Sequence, residues 1–573
     1  LLRSSLRLHC SHSVEAASNR HLKGPILPKK ILRRMFGAEL ESDGSFRSDP
    51  VKIFVTAMFL PLFLAFLLAP PPGSATPAGA ADDHLGKVEF ASSCSAAAQP
   101  LLEKGAALLH SFQYLQSENT FAEAQKQDPK CALAHWGKAM ALYHQLWDFP
   151  DKGKLETGRK ELEKAKKLKA SAREKEFLQT AAIFFQKSEK LDEKARIAAY
   201  SDAMEKWYAK APGDVEVGSF YALSLVALAY QVDAAKALEL RQKAIAVLNP
   251  LFEKNSDHPG VAHYLIHAAD EQSLAPQGLA AARRYAAIAP DSSHAIHMPS
   301  HIFVRLGMWQ DSITSNIAAQ AAGARAAEAH QAESHYQTHA MDFLNYSYLQ
   351  SGQVAKAQAV IMDEHHVVGA SEKSAKTHMD ELNERMVMEL HNWKDAANLP
   401  DDFHFTKTIA AARLKDLSTA KTQLAQVQAD AKKRAGEKKG NYTGAADIDV
   451  QVREAEAWVA FAEGKTEEAL TALRASVAYE DAHRLDSFLV PAREMLAEML
   501  LEAKRPAEAL TEYKAALKNS PNRFNLLVGA ARAANGAHEF DEAHAYYAKL
   551  LEMCGGSGDR PELAEARTLA AKN

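Results

Sequence analysis

Beyond residue 85, the hydrophobic positions recur every three or four residues within long stretches rich in alanine and leucine. This spacing is typical of amphipathic helices, and no stretch in that part alternates apolar and polar residues as a half-buried strand does. Proline-containing breaks separate the stretches at Asp128-Pro129, His258-Pro-Gly260, Pro290-Asp291 and Ser520-Pro521. Because proline stops a helix, the pattern predicts an all-α chain of consecutive helices.

A repeat of 34 residues runs through the C-terminal part, where Ala509 and Tyr513 recur as Ala543 and Tyr547, and Pro521 closes the first copy. Small residues let the two helices of a hairpin approach closely, bulky ones fill the space between hairpins, and proline stops the second helix. This order resembles the tetratricopeptide repeat, a two-helix unit that buries its apolar face by stacking on its neighbours. The resemblance implies a right-handed α-solenoid of helical hairpins over most of residues 95 to 555.

A narrower resemblance rests on three segments: Leu108-Leu-His-Ser-Phe112, Asp128-Pro-Lys-Cys-Ala-Leu-Ala-His-Trp-Gly137 and His297-Met-Pro-Ser-His-Ile-Phe-Val-Arg-Leu-Gly-Met-Trp309. They look like a group of secreted bacterial tetratricopeptide-repeat proteins of unassigned activity. This likeness implies a fold and an exported location, but no reaction.

The N-terminal part is interpreted as a leader. Residues 1–50 are basic and mixed, and we treat them as a doubtful prefix. Residues 51–80 contain a lysine, an apolar run and the small residues Ala78-Gly79-Ala80, which is the layout of a signal peptide. The apolar run is about 17 residues long, at the short end for a membrane span. We therefore expect export to the periplasm or the exterior, with no stable membrane span after cleavage.

A charged, glycine-containing stretch at Lys432–Gly440 predicts an exposed linker. It divides the chain into a degenerate repeat superhelix at 90–430 and a more regular repeat block at 445–560. Because solenoid repeats touch only their neighbours, the linker is either a local break in the stacking or a domain boundary.

The net charge bears on nucleic-acid binding, and the cysteine positions bear on the compartment of the protein. The formal net charge is −4 over 573 residues, which gives no concentrated basic face for nucleic acid. Cys94 precedes the first repeat helix and Cys131 opens the second hairpin, so a fold of stacked hairpins brings them together as a disulfide in an oxidising compartment. Two buried thiols are the alternative.

Three histidine pairs with i, i+4 spacing follow one another along the chain: His263/His267, His297/His301 and His335/His339. This spacing places both imidazoles of a pair on one face of a helix, where together they can bind one metal ion. His297 follows His263 by 34 residues, which is the period of the repeat.

The repeat resemblance implies that these pairs line the concave groove, where proteins of this family bind their ligands. The same alignment adds five further groove residues: His294, Arg305, Asp270, Glu271 and Asp342. The two aspartates would complete a metal shell or orient the imidazoles from behind.

Three interpretations of the histidines stay open. They are ordinary groove residues hydrogen-bonded to each other or to backbone. Alternatively, they hold one or two ions of zinc, copper, nickel or iron. Imidazole ligands bind all four of these metals, so the ligand type does not identify the metal. In the third interpretation they join Arg305 in cradling an anion such as a peptide carboxylate. Pro299 lies inside the middle pair and predicts a helix start or a kink there, so that His297 and His301 would not chelate as a regular pair.

The sequence has no nucleophile elbow, no phosphate-binding glycine loop and no His-Glu-x-x-His motif. The leading hypothesis is therefore an exported solenoid that binds a peptide, a protein or a small ligand in the groove around residues 258–345. The alternative is a metal-dependent enzyme with Asp270 or Glu271 as its general base.

Overall fold

The computed structural model of the protein describes residues 84–570, except 187, 331–333, 437–443, 485–488 and 557. The doubtful prefix and the signal peptide therefore lie outside the described residues. Of the predicted linker, residues 432–436 belong to a helix, and residues 437–440 are not described.

The described residues form 25 α-helices and no β-strand. In chain order they are α1 (Gln99–His110), α2 (Tyr114–Gln127), α3 (Ala132–Ala141), α4 (Lys152–Ala165), α5 (Ala172–Phe185), α6 (Glu193–Tyr208), α7 (Val215–Ala229), α8 (Ala234–Lys254), α9 (Pro259–Ala269), α10 (Ala275–Ile288), α11 (Ser293–His297), α12 (Pro299–Arg305), α13 (Trp309–Glu328), α14 (His335–Gln350), α15 (Val354–Asp363), α16 (Glu372–Leu390), α17 (His404–Arg413), α18 (Leu417–Gly436), α19 (Gly444–Ala462), α20 (Thr466–His483), α21 (Ala492–Glu502), α22 (Pro506–Asn519), α23 (Phe524–Gly536), α24 (Phe540–Cys554) and α25 (Glu562–Ala570). Two short 3-10 helices lie at Glu364–His366 and Trp393–Asn398.

The all-α prediction is confirmed, and the helices stack as a solenoid of hairpins. Consecutive helices pack against each other, as in the pairs α9/α10, α13/α14, α21/α22 and α23/α24, and each pair also contacts the next. Such stacking buries the apolar stripe of each amphipathic helix, which a single hairpin leaves in water.

Small residues facing aromatic rings set the spacing between the helices, as the repeat pattern predicts. A methyl group added at Gly529 of α23 would lie 2.2 Å from Tyr513 of α22, and one at Gly105 of α1 would lie 2.9 Å from Phe121 of α2. Both distances are shorter than a carbon–carbon contact. Any larger side chain at these glycines would therefore separate the two helices.

The C-terminal hairpins also contact the middle of the chain, which the nearest-neighbour rule did not predict. The indole Nε1 of Trp309 donates to the carbonyl of Asn522 at 2.7 Å. The buried Arg523 guanidinium donates to the hydroxyl of Tyr346 at 2.7 Å and pairs with Glu389 at 2.8 Å. The described residues accordingly belong to one compact unit. The division into blocks at 90–430 and 445–560 stays a prediction.

Cys94 and Cys131 form a disulfide that joins the segment before α1 to the start of α3, with their Cα atoms 4.7 Å apart. The cysteine pairing predicted from the sequence is therefore present. In the described part of the chain, no helix combines the length and apolarity that a membrane span requires.

Candidate metal centre

Two helix starts position the first four histidines of the site. His258 caps the N-terminus of α9, where its Nδ1 accepts a hydrogen bond from the Val261 amide at 3.3 Å, and Pro259 occupies the first turn. One turn later, α9 presents His263 and His267 on one face. In the same way the Ser292 hydroxyl caps α11, which carries His294 and His297.

Pro299 does begin a new helix, α12, but the expected loss of chelating geometry was wrong. Met298 keeps right-handed helical angles, φ −52° and ψ −36°, so the backbone continues its turn across the break. The Ser300 hydroxyl donates to the carbonyl of His297 at 2.7 Å, which satisfies an acceptor near the break. As a result, the imidazole Nε2 atoms of His297 and His301 still lie close to each other.

Six histidines meet as two groups of three at the junction of α9, α11, α12 and α14. Within each group the ligand nitrogens lie within 4.8 Å of one another. We name the groups triad A (His263, His267, His294) and triad B (His297, His301, His339). The triads adjoin, because the imidazole centroids of His267 and His301 are 6.3 Å apart and those of His294 and His297 are 6.5 Å apart.

In triad B the outer nitrogens of two rings are held by acceptors. Nδ1 of His297 lies 2.7 Å from Oδ1 of Asn316, and Nδ1 of His301 lies 3.1 Å from Oδ2 of Asp270. The Asn316 amide nitrogen donates to the carbonyl of Ser312 at 2.8 Å, which fixes Oδ1 as the atom facing His297. The inner nitrogens, Nε2 of His297 and Nε2 of His301, are 3.0 Å apart.

Triad A has a similar arrangement. Nδ1 of His263 donates to the backbone carbonyl of His110 at 2.6 Å, and its Nε2 lies 3.1 Å from Nε2 of His294. Nε2 of His267 is buried and has no hydrogen-bond partner in the described structure. Aromatic side chains line this triad: Phe112 stacks on the rings of both His267 and His294.

Burial favours the neutral form of His263, His267, His294 and His297. Removal from water lowers the pKa of His263 to about 3, and neighbouring imidazoles add to the effect of burial in lowering the pKa of His267, His294 and His297 well below the usual value. Neutral imidazole is the form that binds a metal ion.

Asp270 orients the site from behind. It accepts from His301 through Oδ2 and from the Nε of Arg305 through Oδ1, at 3.0 Å. Desolvation opposes its charge, but the charge of Arg305 and the hydrogen bond from His301 hold the pKa of Asp270 well below its usual range. Asp270 is therefore an ionised partner of a histidine, which is one of the two roles that the sequence allowed.

The structure separates three predicted residues from the triads. His335 is exposed and belongs to neither triad, so the third pair contributes only His339. Glu271 pairs with Arg484 and accepts from the hydroxyl of Ser273 at 2.5 Å. Asp342 pairs with the Arg385 guanidinium at 2.6 Å. Arginines thus engage Glu271 and Asp342, and neither carboxylate belongs to a triad.

The groove prediction also needs correction. His263 is fully buried, His301 is 3% exposed, and Asp270 is 7% exposed. These side chains form the interior of a helix junction, because Phe112 and Phe343 pack against the imidazoles. Among the described residues, these buried side chains therefore do not line an open groove for a peptide or protein.

A third buried cluster, which the sequence analysis missed, ties α1, α7 and α9 together. The Glu216 carboxylate lies 2.8 Å from Nε2 of His110 and 2.9 Å from Nε2 of His258. Nδ1 of His258 accepts from the Val261 amide, so its Nε2 carries the proton and donates to Glu216. Because both imidazoles donate to the Glu216 carboxylate, the three side chains satisfy one another's hydrogen bonds at these atoms without a metal ion. This cluster positions the His110 carbonyl that holds His263.

Comparisons with known proteins add only distant likenesses. No protein-family model matches the chain, and a comparison with curated proteins gives no match. Among solved structures, yeast Tom70 aligns with a TM-score of 0.25 and 12% identity, over 82% of this chain and 95% of that one.

Two further structures are similar at the same level. A monomeric mutant of IFIT1 with Gppp-AAAA aligns with a TM-score of 0.30 and 11% identity over 78% of this chain and 95% of that chain. The P58(IPK) TPR domain aligns with a TM-score of 0.19 and 14% identity, over 83% of this chain and 99% of that chain. With every TM-score below 0.5, these likenesses carry no argument about function.

Proposed function

We propose that the protein is a helical-repeat metalloprotein that binds a transition-metal ion between His297, His301 and His339 of triad B. The observation that carries this proposal is the short approach of Nε2 of His297 to Nε2 of His301, two rings whose Nδ1 atoms both face acceptors. The proposal departs from the histidine-lined groove expected from the sequence, because His297 and His301 are buried and His339 is half-buried.

The proton positions follow from the hydrogen-bond partners. The Asn316 carbonyl oxygen and the ionised Asp270 carboxylate only accept, so the nitrogen facing each of them must carry the proton. When both imidazoles are neutral, each has one such proton, and Nε2 of His297 and of His301 is then left with a lone pair. The two lone pairs face each other at 3.0 Å.

Facing lone pairs repel unless a cation lies between them. A proton would serve, but burial and the neighbouring imidazoles of His339 and His301 lower the pKa of His297 well below its usual range. A metal ion about 2.0–2.1 Å from each nitrogen fits a nitrogen–nitrogen separation of roughly 3 Å, and its ligands are neutral imidazoles. Outer hydrogen bonds to a carboxylate or a carbonyl are the usual support of metal-bound histidine.

The ligand set narrows the choice of metal. Three imidazoles without a direct carboxylate suit zinc, copper, nickel or iron and disfavour magnesium and calcium, which prefer oxygen ligands. Three protein ligands also leave a coordination position for a further ligand, as in catalytic zinc sites.

Elemental analysis by mass spectrometry tests the proposal. The full chain, purified without a histidine tag, is expected to contain at least one equivalent of a transition metal, and His301→Ala is expected to lose the triad B ion. The matched control is His366→Ala, which removes an exposed histidine outside both triads and should leave the metal content unchanged. Metal-free protein that takes up neither zinc nor copper would contradict the proposal.

We propose partner binding as a second candidate function, at a place other than the histidines. A surface cleft of about 890 Å³ lies between α8 and α10 and is lined by Phe252, Arg283 and Ile288 among others. Helical-hairpin solenoids offer extended surfaces of this kind to peptides and proteins. Phe252→Asp should abolish capture of a partner that wild-type protein retains, and unchanged capture would exclude this cleft.

We also propose that the protein is exported. The apolar run in residues 51–80 has the layout of a signal peptide, and a disulfide such as Cys94–Cys131 persists in oxidising compartments. N-terminal sequencing of the protein from a periplasmic or culture fraction should find a start near Ala80. Recovery only from the cytoplasm would contradict export.

A further inference from the structure

We infer that triad A holds a second transition-metal ion next to the first, so that the six histidines form a two-metal centre. This inference rests on the proposed function of triad B, and it adds a site, a stoichiometry and a relation between two ions. Both triads are composed of imidazoles alone, so the same class of metal suits both.

The first argument is the state of His263. Its Nδ1 donates to the His110 carbonyl, which is a pure acceptor, so Nε2 carries a lone pair directed at the other members of triad A. The His110 carbonyl is itself held in place, because Glu216 and the Tyr264 hydroxyl, at 2.8 and 2.9 Å, fix the His110 ring. The Glu216 cluster therefore positions His263.

The second argument is His267. Its ring is buried, yet Nε2 has no hydrogen-bond partner in the described structure. An unpaired buried polar atom costs about 1–3 kcal/mol, and native proteins seldom leave one without a reason. A metal ion shared with His263 and His294 would supply the missing partner.

The third argument is the contact between the triads. Imidazoles of different triads approach as closely as 6.3 Å between centroids, for His267 and His301, and 6.5 Å for His294 and His297. Two-metal sites in proteins hold their ions roughly 3.5–4 Å apart, a separation that one small anion bridges. Because imidazoles of the two triads adjoin, we expect ions bound in both triads to lie near enough to interact magnetically and to share such an anion.

Copper(II) is a suitable probe because it binds imidazole sites more tightly than the other divalent ions and carries one unpaired electron. The full chain is titrated with copper(II) in a buffer containing glycine, which competes for weak surface sites, and electron paramagnetic resonance is recorded at each addition. We expect two tightly bound ions per chain and a spin-coupled spectrum, with a half-field transition or an intensity well below two spins.

Variants assign the two ions. His267→Ala, in triad A, should bind one copper ion with the full intensity of one spin and no half-field transition. His301→Ala, in triad B, should likewise lose one ion and the coupling. His267→Gln and circular dichroism accompany these variants, so that loss of metal is distinguished from loss of fold.

The outcomes separate the two proposals. A single tightly bound ion in wild-type protein that is lost in His301→Ala would overturn the two-metal inference and leave the triad B proposal standing. Two ions with independent, full-intensity signals would overturn the adjacency. No tightly bound ion at all would overturn both proposals.

Discussion

Asn316 offers a sharp test of how the protein holds its metal, because it contacts a ligand without being one. It lies on α13, is fully buried, and accepts the proton of Nδ1 of His297 at 2.7 Å. Asn316→Leu keeps the branched shape and the number of heavy atoms of the side chain but removes this acceptor. His297 is then free to place its proton on Nε2 and donate it to Nε2 of His301, which relieves the facing lone pairs without a metal ion.

The expected loss of metal affinity is 10–100-fold, or about 1.4–2.8 kcal/mol, as for other outer hydrogen bonds to metal-bound histidine. The loss also changes stability. At a free metal concentration of about 100 times the wild-type Kd, bound metal stabilises the wild type by about 2.7 kcal/mol. For the variant this stabilisation falls to about 1.4 kcal/mol at a tenfold loss and to about 0.4 kcal/mol at a hundredfold loss.

Two assays measure these quantities. Competition with a chelator of known affinity gives Kd, and urea unfolding with and without metal gives the stabilisation by the bound ion. Asn316→Asp restores an acceptor and should bind metal at least as tightly as wild type. The matched control is Asn345→Leu: Asn345 is also fully buried, and its amide donates to the Ala357 carbonyl. The Asn345→Leu variant should be less stable than the wild type but should bind metal with the wild-type Kd.

The reasoning is refuted if Asn316→Leu binds metal with wild-type affinity while remaining folded. That result would mean that metal binding does not depend on the proton being held on Nδ1 of His297. An equal loss in Asn345→Leu would show instead that any packing defect near α13 and α14 weakens the site.

Three further predictions concern the fold. Gly260→Ala places a methyl carbon 2.2 Å from Nδ1 of His110, so it should destabilise the protein by about 2–4 kcal/mol in urea unfolding; an unchanged midpoint would contradict the close packing. Burial raises the pKa of Glu384 to about 7, so the folded state holds its proton more tightly than the unfolded state. Stability should therefore fall by up to about 3 kcal/mol as pH rises from about 4.5 to about 7, a fall that Glu384→Gln should reduce in urea unfolding at pH 5 and 8. Cys131→Ser opens the disulfide to Cys94, across a separation of 37 residues, and should cost about 3–4 kcal/mol. Reductant should lower the wild type to the same midpoint and leave the variant unchanged, and a reductant effect on the variant would point to another cause.

Local patterns in the sequence were sufficient to predict the helices and the local geometry of the site. Apolar spacing and proline breaks predicted an all-α chain, because helix periodicity and the missing amide of proline act over a few residues. The i, i+4 spacing likewise placed His263 beside His267, since one helical turn fixes the distance between the two side chains. The break at Pro299 was located correctly, but its effect depended on the angles of Met298, which the sequence did not reveal.

Which of these residues lie in contact depends on tertiary packing and could not be predicted from the local patterns. His294 joined triad A, and His339 joined triad B without His335, because the packing of α9, α11, α12 and α14 selects which faces are opposed. Glu216 reaches His110 across 106 residues, and no local pattern announces such a pair. Periodicity sets the face of each helix, but contacts between helices depend on the combined packing of all side chains at the junction. That packing places five of the six histidines of the two triads in the interior and leaves His339 half-buried, so these side chains do not form the expected open row.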